Sequence, residues 1–153
     1  MQKTDLHHFW MHKALDEAHK SFSKNEVPVG AVIILNKEII GRGHNQPILK
    51  NDPTSHAEIE AIRNASENIK NYRLTGADIY VTLEPCTMCY GALVHSRVSN
   101  IFFGARDKSR GVCGSCENLS QKEYFNHKPF VTGQILEQEC SKILIDFFKA
   151  KRS

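Results

Sequence analysis

Between residues 5 and 23, apolar side chains recur three or four positions apart at Leu6, Phe9, Trp10, Ala14, Ala18 and Phe22, which predicts an amphipathic helix. His7, His8, His12 and His19 fall among them and read as surface residues rather than ligands. The period then changes. Residues 29–35 are almost continuously apolar and rich in branched side chains, the pattern of a buried strand. Asn36-Lys37 reads as a tight turn, and residues 38–44 return as the second arm of a hairpin. Residues 45–55 hold Pro47, Pro53, two asparagines and an aspartate, and read as loop.

Helical spacing resumes over 56–68, with Ala57, Ala61, Ile62 and Ala65 as the buried stripe and Thr54 or Ser55 as the cap. Residues 78–83 predict a second buried strand. Pro85 then stands where a helix begins without losing a hydrogen bond, and that helix is expected over 86–95. A third apolar run, 101–105, is followed by a polar, glycine-containing loop over 106–118. A helical turn over 120–125 and an edge strand over 130–135 come next. The last element, 136–151, is an amphipathic helix with Leu136, Cys140, Ile143, Leu144, Phe147 and Phe148 on or near one face. No repeat, low-complexity segment or linker interrupts the chain. The expected architecture is α/β: one three-layer α/β/α domain over 1–153, built on a central mixed sheet of about five strands.

Composition agrees with a soluble globular domain: 153 residues, 41% hydrophobic and 24% charged. No apolar run is long enough to span a membrane, and the first eight residues lack the apolar core of a signal peptide. Five cysteines, an odd number, argue against a secreted disulfide framework and for a reducing, cytoplasmic setting. The net charge of +3 permits a nucleic-acid partner without indicating one. Arg106, Lys108 and Arg110 cluster in one loop, and Lys149, Lys151 and Arg152 near the C-terminus. On charge alone both read as solvated faces.

The candidate chemistry lies in His56-Ala57-Glu58 and Pro85-Cys86-Thr87-Met88-Cys89. His56, Cys86 and Cys89 are three ligands of types that zinc accepts, and they leave a fourth tetrahedral position for water. Cys86 and Cys89 are three residues apart, so on a helix both thiolates share a face. A structural zinc site normally closes with four protein ligands, and no fourth stands near these segments. The pattern H-x-E followed by P-C-x-x-C is the general signature of the zinc nucleobase deaminases, with the glutamate as acid/base rather than ligand. Glu58 is accordingly expected to carry the protons of hydrolytic deamination on an amino-substituted purine or pyrimidine ring. These two motifs do not choose among adenine, cytosine and guanine.

Further stretches narrow the choice. Glu26-Val27-Pro28-Val29-Gly30-Ala31-Val32, Asp52-Pro53-Thr54, Asn71-Tyr72-Arg73-Leu74 and Tyr80-Val81-Thr82-Leu83-Glu84-Pro85-Cys86 carry a likeness that continues through His95-Ser96-Arg97, Phe103-Gly104-Ala105-Arg106-Asp107, Asn126-His127 and Asp146-Phe147-Phe148. Over nearly its whole length the chain closely resembles the bacterial tRNA-specific adenosine deaminases, of the cytidine deaminase-like superfamily, which convert the wobble adenosine of an arginine tRNA anticodon to inosine. The resemblance implies one zinc per subunit at His56, Cys86 and Cys89, and proton transfer by Glu58. It implies base contacts from Asn45 and the backbone of Ala57, and anticodon-loop contacts from Asp107, Asn126, His127 and Phe148. It also implies a homodimer whose tRNA site draws on both subunits. Each of these assignments has a structural alternative: Asn45 as a cap, Asp107 as the holder of its own loop, Phe148 as core.

One feature departs from that family: a second C-x-x-C, Cys113-Gly114-Ser115-Cys116. A second zinc site there needs two more ligands, and only His127 offers itself, so the pair reads as free thiols in a mobile loop. Two rival functions compete: a deaminase of free bases or nucleosides on the same scaffold, and a non-catalytic zinc-stabilised RNA-binding module. The module has no use for the unligated carboxylate of Glu58.

Overall fold

A computed structural model describes residues 2–152; residues 1 and 153 of the expected 1–153 domain lie outside the described residues. In chain order the elements are α1 (Lys3–Ser23), β1 (Gly30–Leu35), β2 (Glu38–His44), α2 (Pro47–Lys50), α3 (Ala57–Ile69), β3 (Asp78–Leu83), α4 (Thr87–Ser96), β4 (Asn100–Ala105), a 3-10 turn (Leu119–Gln121), β5 (Phe130–Thr132) and α5 (Glu137–Arg152). The strands form one mixed sheet in the order β2-β1-β3-β4-β5. β1 is antiparallel to both β2 and β3, while β3, β4 and β5 run parallel. The β1–β2 hairpin closes at Asn36 and Lys37, both with φ near +50 to +60° (51° and 63°), as a two-residue hairpin turn demands.

Alternation along the strands divides the core into two layers. Ala31, Ile33, Ile79, Val81, Ile101 and Phe103 face α3 and α4, where they meet Ala57, Ala61, Ala65, Tyr90 and Leu93. Val32, Ile34, Tyr80 and Phe102 face α1 and α5, where they meet Met11, Ala14, Ala18, Cys140 and Ile143. The expected α/β/α layering is therefore present. α3 lies so close on β2 that a Cβ at Gly43 would collide with the backbone of Ala57 and Ala61.

Several local expectations are corrected. The buried stripe of α1 is Trp10, Met11, Ala14, Leu15, Ala18 and Ser21, whereas Leu6, Phe9 and Phe22 are exposed. Small residues face the sheet because Gly30 of β1 approaches the helix backbone at Ala14 and Ala18. His8, His12 and His19 are on the surface, but His7 bonds the Tyr80 hydroxyl at 2.6 Å and packs on the ring of Phe102. The expected loop 45–55 contains α2, with Pro47 in its first turn and the backbone N–H groups of Ile48 and Leu49 donating to the buried Glu26 carboxylate. Neither Thr54 nor Ser55 caps α3: their hydroxyls bond Asp52 and Glu60, and His56 occupies the N-cap. The helical turn begins one residue earlier than expected. β5 ends at Thr132 because Gly133 packs tightly against the Phe103 ring and Gln134 turns left-handed.

Candidate active site

β3 and β4 are parallel and end together at Leu83 and Ala105; at the same end β2 finishes and antiparallel β1 begins. Chain leaving these strands delivers Asn45, Cys86 and Arg106 to one edge of the sheet, and α3 starts there with His56. Ligands of open α/β sheets bind at this edge, outside the carboxyl ends of the strands. His56 and Cys86 are the N-caps of α3 and α4, both with extended backbone (φ −79° and −83°). The partial positive charge of two helix N-termini thus faces the site and favours anionic ligands.

The ligand atoms of His56, Cys86 and Cys89 lie within 4.8 Å of one another, the one such group among the described residues. Nδ1 of His56 stands 3.7 Å from Sγ of Cys86 and 3.5 Å from Sγ of Cys89. Nitrogen and sulfur bound to one tetrahedral Zn²⁺, at bond lengths of about 2.0–2.1 and 2.3 Å, sit about 3.5 Å apart. Donor types and spacing therefore both fit that ion. Hydrogen bonding from Cys89, with His56 assisting, holds the Cys86 thiol down to about 4, and the same pairing together with burial pushes Cys89 up. Hydrogen bonding to Cys86 raises His56.

Glu58 is 4% exposed, and burial, with Cys86 adding its charge, pushes its carboxyl up to about 7. A group poised there exchanges protons in both directions near neutral pH. Above it opens a cavity of about 690 Å³. Its floor carries His56, Glu58 and Cys86. One wall has Asn45 and Pro47, and the other is the loop Arg106–Arg110 with Leu144 and Phe148 of α5. Phe148 is 43% exposed, so it is a wall of the cavity and not core. Arg106, Lys108 and Arg110 make that rim basic.

Other expected residues behave differently. Oδ1 of Asn45 accepts the backbone N–H of Ala57 at 2.8 Å, so that donor is already engaged, and Asn45 caps α3 rather than a strand. Oδ1 of Asp107 accepts from Ser109 N, Ser109 Oγ and Arg110 N, which folds the loop while Asp107 lines the cavity. Asn126 and His127 do not join these residues. Nε2 of His127 lies 2.7 Å from the carbonyl of Val98, and Oδ1 of Asn126 is 3.5 Å from Arg97, at the opposite end of β4. Cys113 is buried, Cys116 is exposed, and neither belongs to the metal-ligating group. Two carboxylates to which the sequence assigns no role of their own are Glu26, which binds α2, and Glu84, which binds the loop from Asp107 onward. Glu84 is signalled only by its place two residues before Cys86.

Comparison with known proteins bears on this geometry. The family model of the MafB19-like deaminases matches residues 6–152. A tRNA-specific adenosine deaminase of Buchnera aphidicola subsp. Baizongia pistaciae is 47% identical over 152 residues, covering 97% of this chain and 91% of the relative. That of Bacillus subtilis (strain 168) is 46% identical over 143 residues, covering 94% and 89%. A solved structure from a study of A-to-I editing by tRNA:A34 deaminases at the wobble position of transfer RNA superimposes with a TM-score of 0.86 at 40% identity, covering 89% of this chain and 99% of that one. A guanine deaminase from Nitrosomonas europaea shares the fold, with a TM-score of 0.77 at 20% identity, covering 92% and 83%.

Proposed function

The chain belongs to the tRNA-specific adenosine deaminase family, and we propose that it hydrolyses adenosine to inosine at the wobble position of an arginine tRNA anticodon, with one zinc ion per chain. The observation that carries this reading is the convergence of His56, Cys86 and Cys89 beside buried Glu58, at the floor of an open cavity with a basic rim. We take residues 1–153 to act as one deaminase domain. Among the described residues no helix is long and apolar enough to cross a membrane. We take the tRNA substrate to be met in the cytoplasm.

His56, Cys86 and Cys89 would hold the zinc. Bound there, the zinc would supply Lewis acidity that makes water a ready nucleophile near neutral pH. The remaining steps fall to side chains. Glu58 takes a proton from the attacking water and passes it to N1 of the ring. It then carries the second water proton to the exocyclic nitrogen as the C6–N bond breaks, so adenosine and water become inosine and ammonia. Asn45 is placed to meet the base edge, and its hold on Ala57 fixes the start of α3 on which Glu58 rides. Phe148 offers a flat apolar wall for stacking a neighbouring base, while Arg106, Lys108 and Arg110 face the phosphates. We further propose a homodimer, in which Asn126 and His127, at the far end of β4, serve the cavity of the second copy.

The test is to incubate purified protein with an arginine tRNA transcript and sequence the anticodon. Inosine, read as guanosine, is expected at the wobble adenosine and at no other adenosine. An unchanged wobble base with a zinc-loaded enzyme contradicts the proposal.

A further inference from the structure

Glu84 is 2% exposed, at the end of β3 between the sheet and the zinc-binding turn. Its carboxylate receives four hydrogen bonds, all from one stretch of the loop after β4: Asp107 N at 3.1 Å, Cys113 N at 2.9 Å, Ser115 N at 3.1 Å, and the Ser115 hydroxyl. A buried carboxylate is costly unless such donors satisfy it, so carboxylate and loop depend on each other. The fit is close. A Cβ at Gly111 would collide with the Glu84 carboxyl group, and Val112 N donates to the Pro85 carbonyl at 3.0 Å. Glu84 and Arg106–Arg110 line the same cavity.

We infer that Glu84 is a positioning residue for substrate binding, the template that folds the 107–115 loop into the wall that meets the nucleotides flanking the target base. This rests on the tRNA reading above for the identity of the substrate. It accounts for how the departing stretch Cys113-Gly114-Ser115-Cys116, which does not itself line the cavity, is tied behind the Arg106–Arg110 wall, since Cys113 and Ser115 give their amides to the same carboxylate. Because Glu84 acts on the wall and Glu58 on the proton, loss of Glu84 weakens binding more than turnover.

The experiment compares zinc-loaded wild type with Glu84→Gln, Ser115→Ala and Glu17→Gln on an arginine-tRNA anticodon stem-loop. Glu17→Gln is the control for loss of a buried carboxylate that neither lines the cavity nor bonds the 107–115 loop. Glu84→Gln is expected to keep one zinc per chain, raise KM about tenfold and change kcat by less than about threefold. Ser115→Ala, which removes one donor, moves KM the same way by about two- to threefold and serves if Glu84→Gln does not fold. Glu17→Gln leaves KM unchanged. Hydrogen exchange supplies a readout independent of substrate: the amides of Asp107, Cys113 and Ser115 exchange faster in Glu84→Gln. If wild type is inactive on the stem-loop, the substrate reading fails while exchange still decides whether Glu84 holds the loop. An unchanged KM in both loop variants overturns the inference, as does loss of zinc or kcat with KM intact.

Discussion

Oδ1 of Asn45 accepts the backbone N–H of Ala57 at 2.8 Å, joining the residue that follows β2 to the first turn of α3. This bond satisfies one of the open N–H groups of the helix whose N-cap is His56, the proposed zinc ligand, with no side-chain cap of its own. Asn45→Ala is therefore expected to cost about 1 kcal/mol of stability, as lost caps do. It should cost more in kcat/KM, at least about tenfold, because the base contact and the placement of His56 and Glu58 go together. Chemical denaturation and steady-state kinetics on the same protein separate the two effects.

Glu58→Ala should bind zinc and melt like wild type, yet lose activity. Acid/base catalysis contributes about 10²–10⁴-fold, and a carboxylate serving several proton transfers belongs at the top of that range. Retention of a tenth of wild-type kcat would show that another group moves the protons.

Metal analysis separates the two C-x-x-C pairs. Cys86→Ala is expected to lose both zinc and activity, whereas the Cys113→Ser/Cys116→Ser protein keeps one zinc per chain. Stoichiometric zinc in Cys86→Ala would refute the ligand assignment.

Acid stability has a contributor that does not line the cavity. Burial works to raise the pKa of Glu17, but hydrogen bonds from His44 and Lys20 and the charge of Lys20 outweigh it, and the net direction is down. A folded-state pKa below the unfolded value stabilises above the unfolded pKa and is lost as pH falls through the folded one. Glu17→Gln should lower stability by about 1 kcal/mol at pH 7. The gap from wild type should close as pH falls below about 4.5. Urea titrations from pH 3 to 7 check this; a gap that widens with acid would reverse the sign.

Local patterns carried most of the fold. The branched runs ending at Leu35, Leu83 and Ala105 are strands to within a residue or two, and the Asn36-Lys37 turn and the turns carrying His56 and Cys86 lie where side-chain chemistry puts them. What stayed hidden is non-local. α2 is held by the buried Glu26 carboxylate, 22 and 23 residues from its donors, and no spacing within 45–55 announces that. The 107–115 loop looks mobile from its polar, glycine-containing composition and is ordered by Glu84, 23 to 31 residues away. The buried face of α1 depends on how closely Gly30 approaches, so Leu6 and Phe9 misled a reading based on period alone. The cluster of His56, Cys86 and Cys89 was legible because each lies inside a short motif; Asn126 and His127 lie in no such motif, and within one chain they stand apart from the cavity.

The central claim, an adenosine taken from a folded anticodon loop, is tested most directly by comparing kcat/KM for free adenosine, cytidine, guanine and the arginine-tRNA anticodon stem-loop. A loop adenosine is already unpaired, so drawing it into the cavity costs only a few kcal/mol of unstacking. In the proposed complex the basic rim and Phe148, which line the cavity, meet that cost through contacts a free nucleoside does not have. The stem-loop is expected to exceed every small molecule by at least about 10³-fold, with an advantage that shrinks as salt is added and phosphate contacts weaken. A free base or nucleoside matching the stem-loop would contradict the account and make this protein a small-molecule deaminase.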